Sequence, residues 1–535
     1  MEKTTNRQWW QTGVTYQIYP RSFQDTNADG IGDLPGIIQR LGYLADLGVD
    51  ALWLSPFYPS PMKDFGYDVS NYTGVHPLFG SLADFDQLVT AAHARGMKII
   101  IDYVPNHTSD QHPWFLESCS SRDNPKRDWY LWRDPKPDGS PPNNWGSTFG
   151  GPAWTWDAVT GQYYFHHFLR EQPDLNWRNP EVQAAMLDVL RFWLERGVDG
   201  FRMDVVGMIL KDPDFRDNPL NLDAPAHLHP NDLVARQHNI YNQDLDDVHA
   251  IIAQMRRLLD DYGERVGIGE IWYDLPRWVR YYGAQGEGLH LPFNFRLIGA
   301  PWTAQAVRAS VDALEAALPP FAWPNYVLGN HDTPRLASRI GAPQARIAAM
   351  LLLTLRGTPT LYYGDELGLE NGRIAPHQIQ DPQGINLGAE RTRDVARTPM
   401  QWSGVPFAGF STVEPWLPLS ADWRERNAAN QEEDPLSMLS LYRRLLAQRR
   451  TSPALHGGSY HPVETSAPEC YLYLREEGAE RWLVALNFSS ARQAARTALA
   501  GRGQIVLSTA LNRVEHVDLR EISLGPDEGL LIRLD

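Results

Sequence analysis

The sequence predicts a (β/α)8 barrel, with a loop-rich subdomain inserted after the third strand and an antiparallel β domain at the C-terminal end. Three observations predict it. Strand-like and helix-like segments alternate along most of the chain, a stretch rich in Pro, Gly, Asn, Asp and Trp interrupts them, and short strands without helices follow. Eight strands separated by helical material favour a closed barrel over an open doubly wound sheet.

Short apolar runs mark the barrel strands. Met97–Asp102 is almost continuously apolar, which is typical of a parallel strand covered on both faces. The predicted strands are Val14–Pro20, Ala51–Leu54, Met97–Asp102, Gly200–Met203, Arg265–Glu270, Leu289–Phe295, Asn325–Gly329 and Thr358–Tyr363. Apolar residues at helical spacing predict helices over Pro35–Leu47, Leu82–Arg95, Pro180–Glu195 and Leu436–Arg449.

These patterns divide the chain into four parts. Residues 1–103 and 177–451 form the two parts of the barrel, and residues 104–176 form an inserted subdomain B. An unstructured loop of that length is uncommon in a compact protein, so a subdomain is predicted there. Residues 452–535 contain only strand-like segments and are predicted to form a β-sandwich domain.

Composition limits the classes of partner. The formal net charge of the 535 residues is -16, which argues against nucleic acid or an anionic membrane as the main partner. Cys119 and Cys470 lie far apart, so the chain has neither a disulfide framework nor a cysteine metal motif. The longest apolar run, Ile347–Leu355, falls short of the roughly 20 residues that span a bilayer, and no apolar signal core begins the chain. We therefore expect a cytoplasmic protein without a membrane segment, whose oligomeric state the sequence does not indicate.

Acidic side chains follow several strands at the end where barrels of this class carry their active sites. The charged candidates at these ends are Asp204, Glu270, Asp332, Arg202, His107 and His331. Residues two apart on a strand point to the same side, so Arg202 and Asp204 share a face, and the cation favours an ionised Asp204. Three carboxylates on one rim repel one another, which favours a functional cluster over a structural one.

Carboxylate pairs of this kind cleave glycosidic bonds, and a retaining enzyme needs one ionised nucleophile and one protonated acid. Asp204 fits the ionised role. Glu270 follows Gly267 and Gly269 in an apolar stretch, which favours the protonated carboxyl that a general acid requires. Asp332 would then bind sugar hydroxyls.

A second group of oxygen ligands lies near the first strand. Asp25, Asn27, Asp29, Ile31 through its carbonyl, and Asp33 have the spacing of a calcium loop, with Gly30 at the turn position. The closing Glu is replaced by Gly36, so we expect a structural Ca²⁺ rather than a sensor site, with Mg²⁺ as the alternative ion. The other interpretation is a solvated acidic turn.

Several motifs together resemble a known family. Asp102–His107, Gly200–Asp204, Gly269–Glu270 and Asn330–Asp332 resemble the four ordered motifs of the α-amylase family (family 13) of glycoside hydrolases. Gln172–Trp177 resembles the additional motif of the oligo-1,6-glucosidase and α-glucosidase group. Asp64–Asp68 and Arg397–Trp402 extend the resemblance over essentially the whole chain.

The resemblance implies a retaining mechanism with Asp204 as nucleophile, Glu270 as acid/base and Asp332 as transition-state stabiliser. It also implies that the terminal glucose is held by Asp64, Tyr67, His107, Arg202, His331 and Arg397. Asp64 and Arg397 would close the pocket behind the 4-hydroxyl, which makes an exo-acting enzyme; a surface ion pair is the alternative for these two. Phe149 and Phe168 line the entrance or pack in the core. Val205 accompanies α-1,6 activity in the resembled group.

The leading hypothesis is thus an exo-α-glucosidase acting on isomaltose-like and other short α-glucosides. A transglucosylase or sugar isomerase, similar to a trehalose synthase or an isomaltulose synthase, is the alternative on the same scaffold. A non-catalytic transporter subunit or binding module is disfavoured, because this chain keeps all three acids and has no apolar stretch of membrane-spanning length.

Overall fold

The computed structural model describes residues 7–225 and 227–535, and its centre is an eight-stranded parallel sheet. The sheet begins with β1 (Thr15–Ile18), β2 (Ala51–Leu54) and β3 (Lys98–Tyr103). An insertion then contributes β4 (Trp132–Arg133), β5 (Trp154–Asp157) and β6 (Gln162–Phe165), which form a separate sheet. The barrel resumes with β7 (Gly200–Met203), β8 (Val266–Gly269), β9 (Leu291–Pro292), β10 (Asn325–Val327) and β11 (Thr358–Tyr362).

Barrel strands are neighbours in the order β10-β11-β1-β2-β3-β7-β8-β9. The eight predicted strands are confirmed, but the one predicted over Leu289–Phe295 shrinks to two residues. One of the two is Pro292, which has no N–H to donate and so limits the ladder. In the described chain no ladder joins β9 to β10, so hydrogen bonds close the barrel everywhere except at this seam.

Helices occupy the connections between the strands. The earlier ones are α1 (Trp9–Thr12), α2 (Leu34–Leu47), α3 (Leu82–His93), α4 (Pro113–Ser118) and α5 (Pro180–Glu195). The later barrel helices are α6 (Val248–Asp261), α7 (Leu275–Trp278), α8 (Arg296–Gly299), α9 (Ala304–Ala317), α10 (Leu336–Ile340) and α11 (Ala342–Thr354). Four more precede or enter the C-terminal domain, α12 (Pro382–Leu387), α13 (Ala428–Glu433), α14 (Met438–Thr451) and α15 (Pro453–Gly457).

The predicted helices are found within two residues of their expected ends, and α5 shows why. Its N-cap residue Asn179 accepts a hydrogen bond from the Glu181 N–H, and Pro180 stands at the first helical position, where a missing N–H costs nothing. Its buried residues, Val182, Met186, Val189, Leu190 and Trp193, recur at helical spacing and face the barrel core.

Alternate strand residues fill the barrel lumen. Trp53, Ile100, Val266, Ile268, Leu291 and Val327 belong to one buried cluster, whereas their chain neighbours Leu52, Ile99 and Leu328 pack in the separate cluster that includes the helices. The same alternation carries Asp102, two residues beyond Ile100, and Arg202, two residues beyond Gly200, to the C-terminal mouth of the lumen.

The inserted subdomain predicted after the third strand is confirmed, and it contains a small antiparallel sheet in the order β4-β6-β5. An aromatic cluster of Trp145, Trp154, Phe165 and Phe215 forms its core. Isolated bridges pair His107 with Asp174 and Tyr130 with Leu175, so the insertion is tied back to the segment that leaves β3.

The C-terminal domain is an antiparallel β structure, as predicted. Its strands are β12 (Ser459–Val463), β13 (Cys470–Glu477), β14 (Glu480–Asn487), β15 (Gln493–Arg496), β16 (Arg502–Ser508), β17 (His516–Asp518), β18 (Glu521–Leu524) and β19 (Gly529–Leu534). Six form one sheet, and β15 with β18 forms a second sheet that shares a buried apolar cluster with the first. Among the described residues no helix has the length and apolarity to cross a bilayer.

A buried arginine joins the barrel to this domain. Arg475 on β13 is fully buried, and its guanidinium donates to the carbonyl of Thr354 at the end of α11, to Leu455 O at 2.9 Å and to Gly458 O at 3.0 Å. Burial lowers the pKa of Arg475 to about 10. One side chain therefore satisfies carbonyls that would otherwise be buried without partners.

Replacing Arg475 by Met should lower the free energy of unfolding by about 3 kcal/mol, because several buried carbonyls lose their donor at once. Thermal and urea unfolding, followed by circular dichroism, measure the change. Arg481→Met is the matched control, since Arg481 lies on the exposed surface of the neighbouring strand and pairs with Glu476. Equal stability losses in the two variants would contradict this role of Arg475.

Candidate active site

Strand register brings two carboxyls together at the mouth of the barrel. Met203 on β7 is paired with Gly269 on β8, so the next residues, Asp204 and Glu270, leave the sheet side by side. Asp204 N donates to Tyr103 O at 2.8 Å and Glu270 N to Met203 O at 3.0 Å, which continues the ladder by one residue. The third carboxyl, Asp332, follows β10 in a turn in which its N–H donates to Asn330 Oδ1 at 2.9 Å.

These carboxyls line a cavity of about 290 Å³. Nine of the eleven predicted catalytic and substrate-binding residues line it: Asp204, Glu270, Asp332, Asp64, Tyr67, His107, Phe149, Phe168 and His331. The other two, Arg202 and Arg397, are each only 1% exposed and lie behind the wall. Phe149 and Phe168 pack against each other at the cavity, with ring centroids 5.5 Å apart and planes tilted by 57°.

The guanidinium of Arg202 is shared by three carboxyls. Its Nη1 donates to Asp102 Oδ1 at 2.5 Å and to Asp204 Oδ1 at 2.7 Å, and its Nη2 donates to Glu270 Oε2. Trp53 lies beneath it, with the guanidinium carbon 5.2 Å from the indole centroid. One buried cation thus holds side chains from β3, β7 and β8 in a fixed arrangement.

Because Arg202 is shared, it lowers the pKa of Asp204 less than an ion pair with Asp204 alone would. The sequence predicts such a pair and an ionised Asp204. In the structure, burial raises the pKa of Asp204, Arg202 opposes the rise, and the neighbouring charges of Glu270 and Asp102 add to it. Because one cation is divided among three buried carboxyls, Arg202 does not hold the pKa of Asp204 below its usual value.

Glu270 is held from both ends of its carboxyl group. Its Oε1 accepts from the Nε1–H of Trp272 at 2.7 Å, and its Oε2 accepts from Arg202 and from the backbone N–H of Val205 at 3.2 Å. Val205 has a φ of 36°, in the left-handed region that a β-branched residue rarely adopts. This strained turn is what aims the Val205 N–H at Glu270.

Asp332 lies at the centre of a second charge network. Its Oδ1 accepts from Arg393 at 3.0 Å and from Arg397 at 3.0 Å, and its Oδ2 lies 3.2 Å from His331 Nε2. Although desolvation acts to raise it, the guanidinium groups of Arg393 and Arg397 lower the pKa of Asp332. Asp332 is therefore ionised at neutral pH. Burial lowers the pKa of His331 well below its usual value, so this imidazole is neutral.

Arg393 joins this network to the closed end of the cavity. Its Nη2 donates to Asp64 Oδ1 at 2.9 Å and to Asp381 Oδ1 at 2.7 Å. Arg397, expected with Asp64 at the closed end, donates to His331 O at 2.8 Å and to Asp332 rather than to Asp64. The two arginines lie four residues apart on one loop, and only the path of that loop decides which of them reaches Asp64. Both Asp64 and Arg397 are buried, so a surface ion pair is excluded for them.

The inserted subdomain supplies another wall. Gln172 donates to Asp64 Oδ2 and contacts His107 Nε2, both at 3.1 Å. Burial, together with the nearby Lys211 charge, lowers the pKa of His107 to about 3, so this imidazole is neutral. Lys211 pairs with Asp174 behind it, which anchors the insertion to the barrel.

Comparison with known proteins identifies the family. A family model described as the alpha amylase catalytic domain matches residues 17–458. The chain belongs to the α-amylase family of glycoside hydrolases. The resemblance predicted from the motifs is confirmed, and the protein is an enzyme of the glycoside hydrolase class.

Relatives of this hydrolase cover most of its length. It is 44% identical over 501 residues to a probable alpha-glucosidase of Rhizobium meliloti (strain 1021), which covers 90% of each chain. It is 39% identical over 524 residues to an oligo-1,6-glucosidase of Heyndrickxia coagulans, covering 90% of this chain and 92% of that one. A solved structure of an alpha-glucosyl transfer enzyme, XgtA, superposes with a TM-score of 0.94 at 42% identity, covering 99% of this chain and 100% of that chain.

Three side chains at the site of this family member were not among the predicted residues. Arg393 lies just before the motif Arg397–Trp402 and is not part of it, so nothing in the sequence marked it as a site residue. Gln172 opens the quoted motif Gln172–Trp177, so it could have been named as a site residue. Trp272 stands two residues after Glu270. In an extended chain such residues point to the same side, so this spacing could have identified it.

The loop with calcium-like spacing is folded around its first carboxylate. Asp25 accepts the N–H groups of Asn27, Ala28 and Gly30 at 2.9–3.0 Å, and Asp33 caps α2 through the Gly36 N–H. The donor set is all oxygen, which suits a hard cation. Within the described residues, however, no three or more His, Cys, Asp or Glu side chains are arranged to hold a metal ion. A cation would thus also require oxygens outside these residue types.

Glucose binding should weaken as the pH falls through about 6. Burial raises the pKa of Asp64 to about 6, against the lowering effect of Arg393. A protonated Asp64 loses its charge interaction with Arg393, so the inhibition constant of the neutral ligand glucose should rise about tenfold for each pH unit below that value. An inhibition constant for glucose that is unchanged between about pH 5 and pH 8 would contradict this role of Asp64.

Proposed function

We propose that this glycoside hydrolase is a retaining exo-α-glucosidase that releases the terminal glucose from short α-glucosides. The observation that carries the proposal is the shared contact of Asp204 and Glu270 with the Arg202 guanidinium. Two carboxyls that reach one small planar group are close neighbours. Retaining enzymes hold their carboxyls about 5–5.5 Å apart, whereas inverting enzymes leave about 6.5–9.5 Å for a water molecule.

In the first step, Asp204 attacks the anomeric carbon while Glu270 gives its proton to the leaving oxygen. The ester bond to Asp204 forms as the glycosidic bond breaks. In the second step, Glu270 takes a proton from water, and the water oxygen displaces Asp204. Asp204 is the nucleophile in its ionised form, and the proton given to the leaving oxygen is carried by Glu270.

Asp332 and the closed end of the cavity account for the remaining requirements. An ionised Asp332 stabilises the positive charge that develops on the sugar ring and accepts hydrogen bonds from its hydroxyls. Asp64 and Arg393 would hold the hydroxyls farthest from the cleaved bond, and their ion pair leaves no room for a further sugar behind them. That arrangement supports exo action.

Two further properties of the proposed enzyme are the linkage that it prefers to cleave and whether the glucosyl unit passes to water or to a sugar. Val205 lines the cavity beside Asp204, and in the resembled group valine at this position accompanies α-1,6 activity. Transglucosylation or isomerisation is the second candidate function. The likeness to the alpha-glucosyl transfer enzyme XgtA supports it as the second candidate behind hydrolysis, since the same intermediate can react with water or with a sugar.

Product analysis tests the proposal. Wild-type enzyme given isomaltose, maltose, trehalose or sucrose should release free glucose, and proton NMR at early times should show the α-anomer when the anomeric configuration is retained. Isomeric disaccharides exceeding free glucose would favour the second candidate. Early β-glucose would contradict the retaining mechanism.

Asp204→Asn should reduce kcat by a factor on the order of ten thousand, because an amide cannot form the covalent ester. The melting temperature should not fall, since the substitution keeps the size and the hydrogen bond to Arg202. Asp214→Asn is the matched control, because Asp214 lies on the same connection after β7 and is exposed. Retained activity in Asp204→Asn would refute the nucleophile assignment.

We also propose that the loop Asp25–Asp33 binds a structural Ca²⁺ through Asp25, Asn27, Asp29, the carbonyl of Ile31 and Asp33. The burial of Asp25 and Asp33, together with the all-oxygen donor set, supports this over a fully solvated turn. The ion would supply stability to the first barrel segment and would take no part in bond cleavage.

Calcium in excess should raise the melting temperature by about 4 °C relative to enzyme in EDTA, since a ligand that binds only the folded state stabilises it. Asp29→Ala should abolish this difference without changing kcat. Magnesium at equal concentration distinguishes the two candidate ions. A melting temperature that neither ion changes would leave the solvated turn as the correct interpretation.

A further inference from the structure

We infer that Trp272 selects the leaving group and the acceptor of this enzyme. Its exposed indole face is the platform for the ring attached to the glucose, and its N–H positions the carboxyl of Glu270. This inference rests on the proposed function, because it assigns a residue to the acceptor side of the same site.

The hydrogen bond to Glu270 fixes which side of the cavity the indole occupies. Trp272 Nε1 lies 2.7 Å from Glu270 Oε1, and both residues line the cavity. A general acid must reach the oxygen of the leaving group, so a ring bonded to that carboxyl lies on the leaving-group side. Asp64 and Arg393 close the opposite end.

The indole is rigid on one face and open on the other. It stacks on Phe295 with the ring centroids 3.9 Å apart and the planes 12° from parallel. Phe295 is itself buried against Phe293 in the lumen cluster. Trp272 nevertheless remains 46% exposed, an unusual exposure for a large aromatic at a cavity wall. A pre-positioned aromatic face of this kind binds a ring with little loss of conformational entropy.

Few other side chains of the cavity wall compete for this role. Val234 and Met208 offer apolar surface, and Gln243, Gln383 and Thr148 offer uncharged polar groups. Phe149 lies against Arg393, so it belongs to the closed end. Charged partners concentrate at the closed end, where they suit the hydroxyls of the glucose. Stacking of the C–H face of a second pyranose ring on Trp272 is thus the main recognition that the acceptor side provides.

A sugar ring stacked on Trp272 also competes with water for reaction with the glucosyl ester on Asp204. Glu270 takes the proton of an acceptor hydroxyl, the acceptor oxygen bonds to the anomeric carbon, and the ester to Asp204 breaks. Water reacts by the same exchange of bonds. The occupancy of the Trp272 platform therefore sets the ratio of transfer to hydrolysis.

Two substitutions separate the platform from the N–H donor. Trp272→Ala should raise KM for maltose about tenfold and lower the ratio of transfer to hydrolysis by a similar factor, as loss of one apolar contact does. Trp272→Phe keeps an aromatic ring but cannot donate. It should keep the transfer ratio and lower kcat on maltose about tenfold, while kcat on 4-nitrophenyl α-glucoside stays within about twofold because nitrophenolate leaves with little need of a proton.

Trp156→Ala is the matched control, since Trp156 is 47% exposed on β5 and contacts Tyr163 away from the cavity. It should match wild type in every measurement. An unchanged KM and transfer ratio in Trp272→Ala would overturn the platform. Equal losses on both substrates in Trp272→Phe would overturn the positioning role. If wild type releases glucose from none of the substrates, the proposed function fails and this inference fails with it.

Discussion

The active site depends on the single positive charge of Arg202. Asp102, Asp204 and Glu270 come from three neighbouring strands, and each would repel the others in a buried site without this guanidinium. Removing Arg202 from this buried arrangement would cost about 3–5 kcal/mol, because the carboxylates left behind remain desolvated. Strand register and the alternation of side chains along the strands bring these carboxyls close together. The arginine between them offsets their mutual repulsion.

The same principle organises the closed end of the cavity. Arg393 is shared by Asp64, Asp332 and Asp381, as Arg202 is shared by its three carboxyls. The two networks differ in their balance of charge. The guanidinium groups of Arg393 and Arg397 lower the pKa of Asp332. Burial raises the pKa of Asp204, and Arg202 alone does not offset the rise. A firmly ionised Asp332 beside the proposed nucleophile and acid suits the two-step chemistry proposed above.

Much of this arrangement could be predicted from the sequence. The barrel strands were visible as apolar runs, and the positions of Asp204, Glu270 and Asp332 follow from the ends of those runs. The choice between Arg393 and Arg397 could not be predicted, because both lie on an irregular loop with no periodicity to fix direction. Strand β9 is short because Pro292 cannot donate a backbone hydrogen bond. How far a proline shortens a strand depends on which neighbouring strand faces it. The raised pKa of Asp204 depends on its burial and on how one charge is divided, which are properties of distances and not of residue order.

In the mechanism proposed above, Asp204 forms a covalent bond to the sugar beside Glu270. A fluorinated α-glucosyl fluoride can trap this intermediate, and peptide mass spectrometry then locates the bond. One glucosyl adduct per chain is expected, on the peptide that contains Asp204. Turnover of the reagent with no adduct, or an adduct on Asp332 or Glu270 instead, would rule out Asp204 as the nucleophile.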